Sequence, residues 1–284
     1  MPPDIVPDSD SVIRIMREVA AIEILPRFGR LAADDISAKS HPSDLVTTAD
    51  LAAEQRLTER LTDLAPGSAV VGEEGVEAEP ARLGALAGDA PVWLLDPVDG
   101  TNNFAHGKPC FATIVAYCVG GETLAGWILD PLGGSVVWAV RGGGAWRDNG
   151  GATAAVRAAA TQAVTGMTGT VGYRLAKRLK THRERFKGRA PLRTVRSGST
   201  GRDYMDLGQG ILDFAQYTRL KPWDHAAGVL IHAEAGGVSR LVQTGAPYRA
   251  GDGIVPHTLL MAPDPASWAA LHDVLAEAAQ VGVP

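Results

Sequence analysis

The chain has 284 residues, of which 45% are hydrophobic and 21% are charged, and its formal net charge is −5. This composition is typical of a folded protein in water, and an acidic chain without a long basic run argues against a nucleic-acid partner. No apolar run approaches the length of a membrane span, and the N-terminus lacks the basic and apolar segments of a signal peptide. The two cysteines, Cys110 and Cys118, predict reduced thiols in a cytoplasmic protein with no membrane partner.

The first half of the chain predicts helices followed by an antiparallel meander. Apolar residues at helical spacing indicate a helix over residues 9–31, which Pro26 ends or kinks, after a frayed terminus at residues 1–8. A polar loop or hairpin begins at Lys39 and leads to Asp50, a candidate N-cap for the second helix. Residues 76–90 indicate a surface loop that can include a helical turn. The predicted strands are 69–71, 92–95, 111–119, 124–129 and 135–140.

The second half of the chain alternates between strands and helices. Strands are predicted at 165–171, 192–195, 211–217, 238–241 and 258–261, and helices at 173–186, 199–207, 223–235 and 265–281. No repeat or low-complexity linker divides the sequence. We therefore predict an α/β (α+β) protein with two closely packed subdomains, residues 1–155 and 156–284.

Residues 92–104 combine a buried strand, two carboxylates and a turn. The apolar start predicts a strand that is buried on both faces, and Asp96 and Asp99 follow it directly. Gly100 then begins a Gly-Thr-Asn-Asn turn that can open a helix. Carboxylate oxygens suit hard cations such as Mg²⁺, and free N–H groups at a helix start suit a phosphate. One segment therefore offers ligands for both a metal and the anion on which it acts.

Two further acidic residues stand at the ends of predicted elements. Glu73 follows the strand at 69–71, and ligand sites in open α/β sheets collect beyond the carboxyl ends of strands. Asp224 stands at a helix start, where it is either a metal ligand or simply the N-cap. Glu74, beside Glu73, predicts only solvent-exposed charge.

Four motifs resemble those of the inositol monophosphatase family, in the expected order and spacing. The resemblance spans residues 10–280. The motifs are Lys39…Asp44-Leu-Val-Thr…Asp50, then Gly72-Glu73-Glu74, then Asp96-Pro97-Val98-Asp99-Gly100-Thr101-Asn102-Asn103-Phe104, and finally Trp223-Asp224-His225-Ala226-Ala227-Gly228 with Glu234-Ala235-Gly236-Gly237.

This resemblance implies a layered αβαβα sandwich and a Mg²⁺-dependent, lithium-sensitive phosphomonoesterase that forms homodimers. The N-terminal subdomain would carry the main metal motif, and the C-terminal subdomain would close the active site. The implied ligands for two or three Mg²⁺ ions are Glu73, Asp96, Asp99, Asp224 and the carbonyl group of Val98. The implied catalytic residues are Thr101 and Asp50, which orient the attacking water, and Glu73. The implied substrate contacts are Asp99, Asp224 and the backbone N–H groups of Gly100, Thr101 and Asn102.

Two positions depart from the family pattern. Inositol-preferring members have a Glu seven residues before the Asp of the last motif, and this chain has Tyr217 there. Tyr217 therefore either stacks on a substrate ring or fills the wall of the pocket. Asn102 stands where the family most often has Thr, and we expect little loss because the phosphate contact there is made by the backbone.

The loop at residues 196–203 aligns with a family loop that touches the substrate polyol. It contributes Thr200, Gly201 and Arg202 as predicted substrate contacts. Arg202 replaces a small residue, so it either meets a second anionic group, or is a surface arginine, or pairs with Asp203 or Asp206. This loop and Tyr217 together are expected to decide the substrate.

The leading functional hypothesis is a phosphatase that hydrolyses a small phosphomonoester, such as inositol 1-phosphate, with a metal-activated water. The alternatives are the same reaction on histidinol phosphate, fructose 1,6-bisphosphate or 3′-phosphoadenosine 5′-phosphate, and a non-catalytic binding protein on the same scaffold. A metal-dependent nucleic-acid enzyme is a further class, which would need a basic groove and spaced aromatic residues. The acidic balance argues against that class.

Overall fold

A computed structural model describes residues 6–39 and 44–282. The described residues form eight α-helices: α1 Ser9–Val19, α2 Thr48–Leu64, α3 Glu73–Ala78, α4 Thr101–Ala105, α5 Tyr173–Thr181, α6 Thr200–Gly208, α7 Pro222–Glu234 and α8 Pro265–Gln280. They also form fourteen strands: β1 Ile36–Ala38, β2 Leu45–Thr47, β3 Ala69–Gly72, β4 Val92–Asp99, β5 Ala112–Val119, β6 Glu122–Leu129, β7 Val136–Val140, β8 Ala145–Asp148, β9 Thr153–Val156, β10 Thr168–Thr170, β11 Arg193–Val195, β12 Phe214–Leu220, β13 Val238–Leu241 and β14 Val255–Ala262.

Two sheets hold most of the strands. The first has seven strands in the order β3-β4-β5-β6-β7-β8-β9, and the second has five in the order β11-β10-β12-β14-β13. β3 pairs with β4 in parallel, and every later pair of the first sheet is antiparallel. The predicted meander is therefore confirmed, and it continues through β8 and β9. The predicted loop or hairpin that begins at Lys39 follows β1, which pairs antiparallel with β2, and residues 40–43 of that prediction lie outside the described part.

The elements stack in five layers, because side chains alternate between the two faces of each sheet. On β4, Trp93 and Leu95 pack against α1 and α2, whereas Val92 and Leu94 face the core that contains α6 and α7. On β12 of the second sheet, Ala215 faces that same middle core, and its neighbour Phe214 faces the opposite side and packs with α5 and α8. This order, α1/α2, sheet, α6/α7, sheet, α5/α8, confirms the predicted αβαβα sandwich.

The site-bearing strand β4 is longer than predicted. The sequence predicted a strand over 92–95, and the structure extends it to Asp99 with every residue buried. A shift in its register against β5 lies between Asp96 and Asp99, where Pro97 provides no N–H for the ladder. The strand therefore carries both carboxylates into the interior instead of ending before them.

Several predicted helix boundaries were wrong. α1 ends at Val19 and passes through a π-helical turn, Ala20–Ile24, before the turns around Pro26. α5 ends at Thr181 instead of residue 186. The helical turn predicted within the loop at residues 76–90 is present as a 3₁₀ helix, Pro80–Ala87, and the stretch also contains the end of α3. The frayed terminus was predicted for residues 1–8, of which 1–5 lie outside the described part.

Neither acidic N-cap candidate caps a helix. The N-cap of α2 is Thr47, and Asp50 is the third helical residue, which accepts a 2.9 Å hydrogen bond from the Thr47 backbone N–H. Lys221 precedes the first turn of α7, so Asp224 is also the third helical residue. The simple N-cap alternative for Asp224 is therefore wrong, and both carboxylates project from the first turn of a helix.

The other structural predictions have mixed outcomes. Cys110 and Cys118 are free thiols. Among the described residues, no helix is long and apolar enough to cross a bilayer. The predicted boundary between residues 155 and 156 falls within β9, the last strand of the first sheet, and one apolar core contacts both sheets. The division into two subdomains stays a prediction.

The closing helix supplies a first testable prediction through its N-cap, Asp264. This carboxylate accepts hydrogen bonds of 2.9 Å from the N–H groups of Ala266 and Ser267 and one of 2.7 Å from the Thr161 hydroxyl. These bonds, that of Ser267 foremost, lower the pKa of Asp264 from 3.8 to about 2. Asp264→Ala is expected to lower the free energy of unfolding at pH 7 by about 1 kcal/mol.

The pH dependence checks the assignment of this cap. Because the folded-state pKa is depressed, the stabilisation is present above pH 4 and is lost as the pH falls towards 2. Urea denaturation at pH 7 and at pH 2.5 should therefore show a smaller difference between wild type and Asp264→Ala at the lower pH (the lower value is chosen to lie inside that window). An equal difference at the two pH values would contradict the role of the ionised cap.

Candidate active site

Three carboxylates converge at the carboxyl ends of β3 and β4. Glu73 is the first residue of α3, directly after β3, Asp96 lies within β4, and Asp224 projects from the first turn of α7. One oxygen from each lies within 4.8 Å of the others. The structure thus brings together three of the four acidic metal ligands implied by the sequence, from three separate elements.

Burial and mutual repulsion dominate the electrostatics of this cluster. Burial raises the pKa of Asp96 well above its ordinary value, and neighbouring carboxylates raise it further, namely Glu73, Asp99 and Asp224. Burial and Glu73 raise the pKa of Asp224 in the same way, although Lys221 opposes the shift. The cluster therefore favours the uptake of protons or cations.

A buried glutamate that the sequence did not single out holds Glu73 in place. The Glu54 carboxylate on α2 accepts hydrogen bonds of 2.9 and 2.7 Å from the N–H groups of Glu74 and Gly75 at the start of α3. Gly72 is required beside it, since a Cβ there would lie 2.3 Å from the Glu54 carboxyl carbon. α2 thereby fixes the first turn of α3 and the origin of the Glu73 side chain.

Two lysines neutralise part of the cluster. Lys39 Nζ and Lys221 Nζ each lie 3.0 Å from Glu73 Oε1, and Lys39 Nζ also lies 2.6 Å from Glu74 Oε1. Burial raises the pKa of Glu73, but the two ammonium groups outweigh it and hold that pKa below its ordinary value. The prediction that Glu74 is exposed was wrong, because its side chain is only 8% exposed and pairs with Lys39.

A hydroxyl, a carboxylate and a carbonyl group meet beside the cluster. Thr101 Oγ1 lies 3.0 Å from Asp50 Oδ1 and also 3.0 Å from the carbonyl oxygen of Val98. The Thr101 hydroxyl has one proton, so it donates a hydrogen bond to one of these two oxygens at a time. Its own oxygen can still accept a hydrogen bond from a water. Burial raises the pKa of Asp50 to about 6. Thr101 and Asp50 are the residues that the resemblance assigned to orienting water, and the Val98 carbonyl group is one that it assigned to the metal.

Asp99 is tied to the second half of the chain. Its carboxylate accepts hydrogen bonds of 3.0 and 2.8 Å from the N–H groups of Thr200 and Gly201, and a short bond from the Ser199 hydroxyl. Burial nevertheless raises its pKa to about 6. Asp99 thus places the start of α6, and the predicted substrate residues Thr200 and Gly201 meet it through their backbone.

The turn after Asp99 requires glycine and continues this link. Gly100 has a φ of +90°, and a Cβ there would lie 3.1 Å from the carbonyl oxygens of Cys110 and Gly198. Asn103, to which the sequence assigned no role, donates hydrogen bonds of 2.8 and 2.9 Å to the carbonyl oxygens of Cys110 and Ser197. The Asn102 side chain is exposed, which leaves its backbone as the predicted contact.

The two residues that were expected to decide the substrate have different surroundings. Arg202 Nη1 lies 2.5 Å from Asp130 Oδ2, so the predicted pairing with Asp203 or Asp206 was wrong. The pair with Asp130 uses one of the guanidinium nitrogens, and the other N–H groups keep donor capacity for a second anionic group. Tyr217 donates a 3.4 Å hydrogen bond to Asp203 and lines a cavity of about 210 Å³ together with Ser199 and Thr200. That cavity adjoins the loop that holds Asp99.

A sequence model of the inositol monophosphatase family matches residues 9–281. The chain belongs to this family. The inositol-1-monophosphatase of Mycobacterium bovis is 37% identical over 224 residues, which cover 78% of this chain and 75% of that protein. A fructose-1,6-bisphosphatase/inositol-1-monophosphatase of Thermotoga maritima is 30% identical over 229 residues, which cover 81% of this chain and 82% of that protein.

Solved structures agree with this membership in the inositol monophosphatase family. The Thermotoga maritima IMPase superposes with a TM-score of 0.79 at 25% identity, covering 95% of this chain and 97% of the other. The extragenic suppressor protein SuhB of Bartonella henselae superposes with a TM-score of 0.74 at 21% identity over 96% and 98% of the chains, which shows the shared fold. The protein is accordingly a phosphoric monoester hydrolase that acts on small phosphorylated substrates.

The donor set of this family member fits a divalent metal. The family is generally metal-dependent, and the converging groups here are all oxygen donors, which hard cations prefer. Buried carboxylates that raise one another's pKa are unfavourable without compensating positive charge. Lys39 and Lys221 contact only Glu73 of the three clustered carboxylates, so Asp96 and Asp224 keep oxygens for a metal.

Proposed function

We propose that this inositol monophosphatase family member is a Mg²⁺-dependent phosphatase that hydrolyses a small phosphomonoester such as inositol 1-phosphate. The observation that carries the proposal is the convergence of Glu73, Asp96 and Asp224 within 4.8 Å of one another. Beside them, a threonine hydroxyl and a buried carboxylate stand ready to orient a water. Phosphoryl transfer needs this combination of charge neutralisation and positioning more than it needs a covalent nucleophile.

In the proposed mechanism, Glu73, Asp96, Asp99, Asp224 and the Val98 carbonyl group would hold two or three Mg²⁺ ions. A bound metal would supply a more acidic water and positive charge to offset the charge that develops on the phosphate. Thr101 accepts a hydrogen bond from the attacking water while it donates its own proton to Asp50 or Val98. The N–H groups at the start of α4 bind the phosphate oxygens, and the αL turn at Gly100 directs them outwards.

The chemistry of the leaving group remains open among several alcohols. Tyr217 supports a substrate other than inositol 1-phosphate, because it lacks the carboxylate that inositol-preferring members use there. The relative of Thermotoga maritima carries both a fructose-1,6-bisphosphatase and an inositol-1-monophosphatase name, so a sugar bisphosphate is an alternative of the same reaction class. Histidinol phosphate and 3′-phosphoadenosine 5′-phosphate are two further candidate substrates of the same reaction class. A non-catalytic binding protein is the second alternative.

A substrate panel tests the proposal. Purified protein is expected to release phosphate from at least one of the four esters with Mg²⁺ and from none with EDTA. The release should be quantified by phosphate detection, with heat-denatured protein as the control. Protein that binds Mg²⁺ but hydrolyses no member of a broad phosphomonoester panel would favour the binding-protein alternative.

Inhibition by LiCl, a homodimer in light scattering and a cytoplasmic location are further parts of the proposal.

Thr101→Val tests the water-orienting role directly. Removal of the hydroxyl is expected to lower kcat by about 100-fold, as for the loss of a positioned proton-transfer group, with little change in KM. Steady-state kinetics and Mg²⁺ calorimetry should show that the metal affinity is nearly retained, because valine has a similar volume. Thr101→Ser, which keeps the hydroxyl, is the matched control and should retain most of the activity. Wild-type kcat in Thr101→Val would contradict the role.

A further inference from the structure

Lys221 stands in a distinctive place beside the proposed metal site. It is the residue just before α7, and its Nζ reaches back to Glu73 Oε1 at 3.0 Å across 148 positions of sequence. Its stem extends along Trp223, with the ammonium 5.5 Å from the centroid of that ring. The proposed function assigns it no part, although it contacts a proposed metal ligand.

The two lysines at Glu73 differ in how firmly they are held. Lys39 is only 4% exposed and is shared between Glu73 and Glu74, so it belongs to the buried framework. Lys221 is 24% exposed, and Glu73 is its one ion-pair partner among the described residues. The Lys221 ammonium therefore contacts Glu73 from a position that is partly open to solvent, whereas the Lys39 ammonium contacts it from the interior.

We propose that Lys221 is a built-in counter-ion that takes the place of the most loosely held cation at Glu73, so that the loaded enzyme holds two Mg²⁺ ions instead of three. This inference rests on the proposed function. Its physical basis is that a divalent ion near the outer side of Glu73 would meet the fixed positive charge of Lys221 at short range. Asp96 and Asp224 have no contact with a lysine nitrogen among the described residues, so the inner positions stay open.

The same contact gives Lys221 a role before any metal binds. Glu73 faces the carboxylates of Asp96 and Asp224, and the ammonium offsets part of their repulsion. The arrangement keeps the first turns of α3 and α7 together, since Lys221 precedes one and Glu73 begins the other. Loss of the Lys221 charge should therefore lower the stability of the metal-free protein and raise the Mg²⁺ affinity of the weakest metal site.

Titration calorimetry with MgCl₂ on full-length protein tests this inference, comparing wild type, Lys221→Met, Lys221→Gln and Lys221→Arg. Wild type and Lys221→Arg should bind two ions. Lys221→Met and Lys221→Gln should bind a third ion, or tighten the weakest site by about 10-fold, because a repelling charge is gone. The melting temperature in EDTA should fall in these two variants. Lys177→Met, at an exposed lysine on α5, is the control and should match wild type.

The outcomes separate the inference from the function on which it rests. If wild type hydrolyses a phosphomonoester with Mg²⁺ and both neutral variants bind Mg²⁺ with unchanged stoichiometry and affinity, the inference is overturned and the function stands. If the neutral variants bind Mg²⁺ more weakly, Lys221 supports the metal instead of competing with it, and the inference is again overturned. If wild type neither binds Mg²⁺ nor hydrolyses any ester, both fail.

Discussion

Asp96→Asn is expected to abolish Mg²⁺-dependent hydrolysis and, at the same time, to raise the melting temperature of the metal-free protein. The loss of activity should exceed about 100-fold, since even residues that only support metal ligands cost 10–100-fold when changed. The gain in stability follows from the position of Asp96, which is 3% exposed and is repelled by four other carboxylates without a cation of its own. Asparagine has the same shape and removes the charge.

The pH dependence of stability in EDTA sharpens this prediction. Burial raises the folded-state pKa values of Asp96 and Asp99, the latter to about 6. A carboxylate with a raised folded pKa stabilises the protein below its unfolded value of 3.8, and that contribution is lost as the pH rises through the folded pKa. The melting temperature of metal-free wild type should therefore fall as the pH increases from about 4 upwards, and Asp96→Asn should fall less.

Differential scanning calorimetry with EDTA and with excess MgCl₂ provides both readouts for Asp96→Asn. Wild type should gain stability from Mg²⁺, because a ligand that binds only the folded state stabilises it, and the variant should gain little. Asp130→Asn is a suitable control, since its carboxylate pairs with Arg202 and lies outside the converging carboxylates. An Asp96→Asn protein that is less stable than wild type in EDTA would show that the carboxylate is not under repulsion.

The sequence predicted the site-bearing strand because its signal is local. An apolar run followed by Asp96, Asp99 and Gly100 carries the strand, the ligands and the turn within a few residues. The meander could also be predicted from the sequence, since its glycine-rich turns separate short β-branched runs. In both cases neighbours in sequence are neighbours in space, so periodicity and turn chemistry were sufficient.

The charged residues that contact the Glu73 region could not be predicted from local sequence signals. Glu54, Lys39 and Lys221 contact the Glu73 region from α2, from the hairpin and from the start of α7. Each of them, taken alone, is an ordinary charged residue on an amphipathic or polar segment. Tertiary packing brings them together: α2 packs on the outer face of the first sheet, and Lys221 precedes α7 in the middle layer.

The N-cap of α2 is a different kind of error, because a signal was present. Thr47 and Asp50 stand three residues apart, the spacing of a capping box, in which the first residue is the cap and the second reaches back to it. The capping-box spacing thus assigns the cap to Thr47 and the returning hydrogen bond to Asp50. Its correct position matters for function, since it turns the Asp50 carboxylate towards Thr101 instead of towards the helix N–H groups.

Gly126→Ala is expected to destabilise the protein and to weaken metal binding together, because this glycine is where α7 rests on the first sheet. A Cβ there would lie 2.6 Å from the Ala227 Cα. Gly126 is aligned across the sheet with Ala116 and Ala139, so a row of small residues forms the shallow surface beneath the helix. The contact is with backbone, which a side-chain rotation cannot relieve.

The expected loss in the free energy of unfolding for Gly126→Ala is about 1–3 kcal/mol, the usual range for an overpacked core. α7 must shift outwards, and Asp224 lies on the same helix, three residues before Ala227. Mg²⁺ affinity should therefore fall although no ligand has changed. Gly84→Ala, at an exposed site with open space for a Cβ, is the control and should leave both quantities unchanged or slightly raise stability. Urea denaturation in EDTA and Mg²⁺ calorimetry measure the two effects, and a destabilised variant with wild-type Mg²⁺ affinity would show that the packing of α7 does not set the position of Asp224.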